Sequence, residues 1–132
     1  MFRRRRLPGH LDGPYRAFEA IVPPLERAKA ALTGSVPGTR LPGRPLAETL
    51  LGFENGLREV AAGMDAWRES EVEEVWLGAS AGLNEARELA ARVRIEAPPP
   101  VGFEGLIGLI GDLLAPLEAF AAAEERFGEL RR

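Results

Sequence analysis

The sequence predicts an all-α protein, and in particular an antiparallel up-and-down four-helix bundle. Alanine (20) and leucine (18) outnumber valine, isoleucine and threonine, which total 14, and this balance favours helix over strand. Apolar residues recur at alternating spacings of three and four, as they do along the buried stripe of a helix. Proline and glycine separate these stretches. With 132 residues, the chain is long enough for one domain with a single core.

The first predicted helix opens at Asp12-Gly13-Pro14, where a capping residue is followed by proline in the first turn. It runs to Leu32 or Thr33. Pro23-Pro24 lie inside it, so this helix is either kinked or divided into two pieces. A loop over residues 34–44 follows, with two Pro-Gly turns.

The second and third predicted helices each carry one long apolar stripe. The second begins near Pro45, and its stripe consists of Leu46, Leu50, Phe53, Leu57, Val60, Met64 and Trp67. The third has the same spacing at Val72, Trp76, Ala79, Leu83, Ala86, Ala90 and Val93. Each stripe predicts a long helix with one buried face. Both helices also contain small-residue pairs, Gly52-x3-Gly56 and Gly78-x3-Gly82, which favour close packing within the bundle.

A break between these two helices is predicted around Arg68–Ser70. The step from Trp67 to Val72 is five residues, so the phase of the stripe slips there. Ser70-x-x-Glu73 at the slip is typical of a capping box, in which the serine caps a new helix. The alternative is one continuous helix of about fifty residues, because neither glycine nor proline stands at the slip.

The fourth predicted helix spans Gly102 to Leu130 and follows the extended segment that Pro98-Pro99-Pro100 impose. Pro116 predicts a kink within it. Its seam consists of Phe103, Leu106, Ile110, Leu113, Leu117, Phe120, Glu124 and Phe127. Matched helix lengths and mostly short links favour the four-helix bundle. A long helical hairpin with two flanking helices is the alternative.

Residues 1–11 are predicted to form a basic, flexible tail, and residues 12–132 the single helical-bundle domain. Four consecutive arginines, Arg3, Arg4, Arg5 and Arg6, make this tail a candidate binding segment for the phosphates of nucleic acid or for an anionic membrane surface. The first 66 residues carry ten Lys/Arg against seven Asp/Glu, whereas the last 66 carry seven against thirteen. Neither half is basic enough for a dedicated nucleic-acid surface, so the favoured interpretation is a solvated tail.

The composition excludes many kinds of chemistry. The chain has no cysteine, so disulfides, thiolate metal sites and thiol catalysis are absent. His10 is the only histidine, and di-iron bundles need a Glu-x-x-His pair on each of two helices. No glycine-rich phosphate loop ends in Gly-Lys-Ser/Thr. The cluster Glu69, Glu71, Glu73 and Glu74 is suited to the positive end of the third helix. We therefore expect no catalytic residues, no metal and no cofactor.

The sequence also bears on location. Pro8, Gly9 and Asp12 interrupt the start where a signal peptide would be apolar. The most apolar stretch, Val101–Ala123, is long enough to span a bilayer but contains three carboxylates. We expect a cytoplasmic protein without a transmembrane segment. Arginine outnumbers lysine sixteen to one, which indicates a GC-rich, bacterial source.

The fourth predicted helix is apolar nearly all round, whereas a bundle helix needs only one apolar stripe. The seam places Leu106, Ile110 and Leu113 in the core and leaves Ile107, Leu109 and Leu114 as candidate interface residues on its flanks. Burial inside the chain is the alternative. The predicted function is therefore non-enzymatic and works through protein–protein contacts, with a second copy or with another helical protein.

A short motif supplies a further alternative. Trp76-Leu77-Gly78 resembles the Trp-x-Gly turn of the small helical-hairpin substrates of type VII secretion, which implies a small secreted helical protein. In that family the motif is a turn between helices, whereas here the stripe of the third helix runs through it. The family's trailing Tyr-x-x-x-Asp/Glu signal is matched only by Tyr15 and Glu19, at the opposite end of the chain.

Overall fold

The computed structural model describes residues 7–33, 46–95 and 102–131, and these residues form helices without any strand. The α-helices are α1 (Gly9–Thr33), α2 (Leu46–Ala62), α3 (Glu73–Ile95), α4 (Gly102–Leu114) and α5 (Ala119–Leu130). Short 3₁₀ helices span Asp65–Trp67, Ser70–Val72 and Ala115–Glu118. The predicted all-α helical bundle is confirmed, and the fourth predicted helix corresponds to α4, a 3₁₀ segment and α5 together.

Helix α1 is one uninterrupted helix, although Pro14, Pro23 and Pro24 lie inside it. An interior proline removes a backbone hydrogen bond and costs about 3 kcal/mol, so packing must offset it. The inner face of α1 provides that packing, since Leu11, Phe18, Ile21, Pro24, Leu25, Ala28 and Leu32 are buried. The helix begins at Gly9 rather than Asp12, and Leu11 is fully buried. The bundle therefore starts before residue 12, where the predicted tail was to end.

The predicted break between the second and third helices is confirmed, and the continuous-helix alternative is wrong. Helix α2 ends at Ala62, Glu69 is extended with φ −137° and ψ 155°, and α3 starts at Glu73. The predicted capping role of Ser70 is also wrong, because the capping position before the 3₁₀ turn is Glu69 and no side chain caps it. Ser70 Oγ instead donates to Glu71 Oε1 at 2.6 Å, and Glu73 pairs with Arg68.

The three apolar stripes meet in one core. Every member of the second stripe from Leu50 to Trp67 is buried, and so is the third stripe from Val72 to Ala90. The fourth seam is also largely buried, and it continues through the 3₁₀ segment at Ala115–Glu118 with Leu113, Leu117, Phe120 and Phe127 in the core. Glu124 of the predicted seam is exposed, however, and Ala123 lies in the core between Phe120 and Phe127 instead, because both positions flank the same stripe and the carboxylate stays in water.

Aromatic rings fill the end of the core where α1 begins. Trp67 packs edge-on to Phe18 with ring centroids 5.0 Å apart, and Phe127 lies 6.1 Å from Trp67. Trp76 Nε1 donates to the carbonyl of Met64 at 2.8 Å, which ties α3 to the end of α2. Trp67 Nε1 is buried and has no hydrogen-bond partner within the described ranges.

Close contacts give the direction of neighbouring helices. A Cβ added at Gly56 of α2 would lie 2.7 Å from Ala28 Cβ of α1, and one at Gly63 would overlap Ile21. Residues later in the chain after the start of α2 thus contact residues earlier in α1. The two helices therefore run antiparallel. Of the two predicted small-residue pairs, only the second glycine of each packs tightly. Gly56 meets α1 and Gly82 meets the Pro116 carbonyl, whereas a Cβ on Gly78 would meet nothing within 4 Å.

Candidate protein-interaction site

Helix α4 has an outer surface that no other described element covers. We define the α4 outer surface as Glu104, Gly105, Ile107, Gly108, Gly111 and Asp112, all of which are exposed. Ile107 is 41% exposed, whereas Ile110 and Leu113 on the opposite face are buried. A Cβ added at Gly108 or Gly111 would meet nothing within 4 Å. Close packing against the described residues therefore does not explain Gly108 and Gly111.

The three predicted interface residues have different positions. Ile107 belongs to the α4 outer surface, as described above. Leu109 and Leu114 are half-buried and pack against the core, one on each flank of the helix. The structure therefore brings only Ile107 into a freely accessible position, because the flanks of Leu109 and Leu114 already contact neighbouring parts of the bundle.

The chemistry of the α4 outer surface is small, apolar and acidic. Glu104 and Asp112 are its only charged groups, and the sequence of α4 contains no Lys or Arg. Glycine lowers helix stability by roughly 1 kcal/mol relative to alanine at each interior position, so α4 depends on packing for its stability. Within the described chain that packing comes from one face only.

One helical segment, Glu104–Leu130, is long and apolar enough by length and composition to cross a membrane, and 28% of its most apolar window is buried. The core helix of a soluble protein meets the same criteria, but such a helix is mostly buried. In this protein the inward side chains of the segment contact the other helices. Its outward side bears Asp112, Glu118, Glu124 and Glu125.

The candidate anion-binding residues Arg3, Arg4, Arg5 and Arg6 lie outside the described residues. The described residues include ten Lys/Arg and nineteen Asp/Glu, so the bundle that the structure describes is strongly acidic. An acidic bundle repels a polyanion that lies along its surface. Any binding of nucleic acid would therefore depend on basic residues outside the described part of the chain, among which Arg3–Arg6 are the one uninterrupted run.

The acidic cluster before α3 makes local contacts. Glu71 contacts the His10 ring, and hydrogen bonds from Ser70 and His10 lower the pKa of Glu71 to about 2. Arg68 and Glu73 form an ion pair at 2.7 Å, and this hydrogen bond raises the pKa of Arg68 and lowers that of Glu73. Within the described ranges no three acidic or histidine side chains are arranged to hold a metal ion.

Sequence reasoning missed a cleft between α2 and α3. Its volume is about 360 Å³, and it is lined by Glu54, Arg58, Asn84, Arg87, Glu88 and Ala91. The sequence spacing does place each set of lining residues on one helix face. Glu54 and Arg58 are four residues apart on α2, and α3 carries on one face Asn84, Arg87, Glu88 and Ala91. Spacing along one helix does not show which residues of another helix lie opposite, so only the packing of α2 on α3 reveals that the two sets meet.

The Trp76-Leu77-Gly78 motif lies inside α3 and forms no turn. The structure therefore departs from the type VII secretion pattern at the residues on which the resemblance depends. Comparison of the chain with family models, with curated proteins and with solved structures gave no match.

Proposed function

We propose that this protein has no enzymatic activity and acts in the cytoplasm through protein–protein contacts, first of all with a second copy of itself. The proposed contact is the α4 outer surface. The observation that carries the proposal is that the exposed Ile107 lies among the exposed glycines Gly105, Gly108 and Gly111, on a helix that contains no Lys or Arg. A helix face without cations, on which an apolar side chain stands among glycines, gives a partner helix room to approach closely.

A second copy suits this surface because the surface is self-complementary. A two-fold symmetric contact uses the same patch on both subunits, so the patch must supply both a projection and a depression. Ile107 supplies the projection, and Gly111, one helical turn further on, supplies the depression. If two α4 helices pack antiparallel and cross at the level of residue 109 along the helix axis, Ile107 of each copy would lie opposite Gly111 of the other.

The charges of the surface determine how such a contact responds to salt. The α4 outer surface carries two carboxylates and no cation. Two copies would therefore bring like charges together, and added salt would screen their repulsion. An association in which the arginine segment binds an acidic surface has the opposite dependence, since salt screens the attraction.

Sedimentation velocity or light scattering at tens of micromolar tests the proposal. We expect the wild type to form a dimer that becomes tighter as salt is added. Ile107→Glu should convert it to a monomer with unchanged helicity by circular dichroism, because Ile107 makes little contact with its own bundle.

Leu77→Glu is the matched control, since Leu77 is 50% exposed on α3 and lies outside the α4 outer surface. This variant should remain dimeric. A wild-type monomer at these concentrations overturns the proposal, as does equal dissociation of both variants. A dimer that weakens with salt assigns the contact to the arginine segment instead.

A further inference from the structure

The cleft between α2 and α3 is lined by two arginines that form no ion pair with any described residue. Arg58 projects from α2 and Arg87 from α3, and both line the same space of about 360 Å³. Within the described ranges, no carboxylate lies at ion-pair distance from either guanidinium. Two like charges that line one cleft repel each other, so an anion bound between them would stabilise this arrangement.

The reason that Arg58 is unpaired lies in a neighbouring contact. Glu54 precedes Arg58 by four residues on α2, which is the usual spacing for a helical ion pair. Arg94 of α3 takes this carboxylate instead, with Nε at 2.6 Å from Oε2 and a second nitrogen at 3.2 Å from Oε1. The two hydrogen bonds are partly buried, and they raise the pKa of Arg94. Because Arg94 pairs with Glu54, the negative charge of Glu54 is neutralised and is not available to Arg58.

The remaining polar groups define what could bind. Asn84 places an amide in the lining one turn before Arg87, so the cleft offers an amide donor beside two guanidinium groups. Glu88 is the one carboxylate of the lining that Arg94 does not hold. Ala91 also lines the cleft, and its methyl group is the smallest side chain of the lining, so it leaves room for a ligand.

We propose that the cleft between α2 and α3 is a binding site for the phosphate group of a small solute, held between Arg58 and Arg87. Guanidinium groups donate paired hydrogen bonds to phosphate oxygens, and two of them on facing helices meet a tetrahedral anion from two sides. The volume suits a single phosphate group with a small substituent. A polyanion that extended beyond the cleft would meet the acidic surface of the bundle.

Titration with inorganic phosphate and with methyl phosphate, in chloride of matched ionic strength, tests the proposal. The NMR signals of the arginine Nε–H groups and of the Asn84 side-chain amide report on the cleft directly. We expect saturable shifts at Arg58, Arg87 and Asn84 with a Kd on the order of 1 mM. Whichever of the two probes binds with the lower Kd shows whether the cleft prefers free phosphate or a phosphate ester as its ligand.

Arg58→Gln and Arg87→Gln should each weaken phosphate binding about tenfold, because each removes charge-assisted hydrogen bonds. Arg92→Gln is the matched control: Arg92 is exposed on the same helix but does not line the cleft, and this variant should bind as the wild type does. Glu88→Gln should tighten binding severalfold by removing a like charge. Equal weakening in all three arginine variants, no saturable shift in the wild type, or weaker binding in Glu88→Gln would overturn the proposal.

Discussion

Glu71 is held in its ionised form by the residues around it. Ser70 Oγ donates to it at 2.6 Å, the His10 ring contacts it, and the pKa of Glu71 is lowered from its ordinary 4.5 to about 2. A carboxylate with a lower pKa in the folded chain stabilises the fold above its ordinary pKa. That contribution is present at neutral pH and is lost as the pH falls from about 4.5 to about 2.

Ser70→Ala separates two roles that a serine can have at this position. A capping serine would cost about 1 kcal/mol when replaced by alanine, whereas Ser70 caps nothing in the structure. Because Ser70 helps to keep Glu71 ionised, we expect Ser70→Ala to lower the free energy of unfolding at pH 7 and this loss to shrink as the pH falls toward 2, whereas the loss of a helix cap would not depend on pH in this way. We also expect the pKa of Glu71 to rise, because the bond from Ser70 is the main cause of its low value.

Carboxyl ¹³C NMR over pH 2 to 6 measures the pKa of Glu71, and urea denaturation measures stability. Glu73 serves as an internal control, since its pKa is lowered by Arg68 and should not change in Ser70→Ala. A loss of about 1 kcal/mol together with an unchanged pKa of Glu71 would restore the capping interpretation.

At the scale of helices, the contact between α3 and the 3₁₀ segment at Pro116 depends on one glycine. A Cβ at Gly82 would overlap the Pro116 carbonyl oxygen, which is backbone and cannot rotate away. Gly78 lies one turn earlier on the same helix, and a Cβ there meets nothing within 4 Å. The two glycines therefore form a matched pair in one helix.

Gly82→Ala should destabilise the protein by about 1–3 kcal/mol through overpacking. Gly78→Ala should stabilise it by up to about 1 kcal/mol, because alanine is the better helix former and has room. Thermal or urea denaturation of both variants gives the sign of each change in the free energy of unfolding. Opposite signs are the expected result; a gain of stability in Gly82→Ala would contradict the close approach of α3 to Pro116.

For the whole molecule, the described N-terminal side chains show where the bundle begins. Leu7 packs partly against the core, α1 starts at Gly9, and Leu11 is fully buried. The arginines Arg3–Arg6 precede all of these residues in the chain. The stable unit therefore includes residues before Asp12.

Deletion of residues 1–6 should leave the Tm unchanged, because it removes none of the side chains that are seen to pack on the core. Deletion of residues 1–11 should lower the Tm by roughly 10 °C, since it removes the buried Leu11 and the contact of His10 with Glu71. Differential scanning calorimetry compares the two truncations. A large loss in the shorter deletion would show that residues 1–6 contribute to the folded state.

Spacing along the chain was sufficient to predict the helices and their inward faces. The stripes from Leu50 to Trp67 and from Val72 to Ala90 are buried as predicted, because a helix whose apolar residues repeat every three or four positions must bury that face. The break between them was predicted for the same reason, since Trp67 and Val72 could not share one stripe. The role of Ser70 was not, because a capping motif does not show which of several neighbours a hydroxyl will bind.

Only the tertiary structure decided which residues of different helices meet. Gly56 and Gly82 are close contacts whereas Gly52 and Gly78 are not, although the two pairs have identical spacing. Likewise, only the packing of α3 on α2 assigns Glu54 to Arg94 and leaves Arg58 and Arg87 in one cleft. The physical reason is that periodicity reports which side of a helix avoids water, whereas a contact between helices depends on their relative shift and rotation. The sequence by itself therefore determined the helices and the core, and the packing of the helices decided the surfaces on which the proposed functions depend.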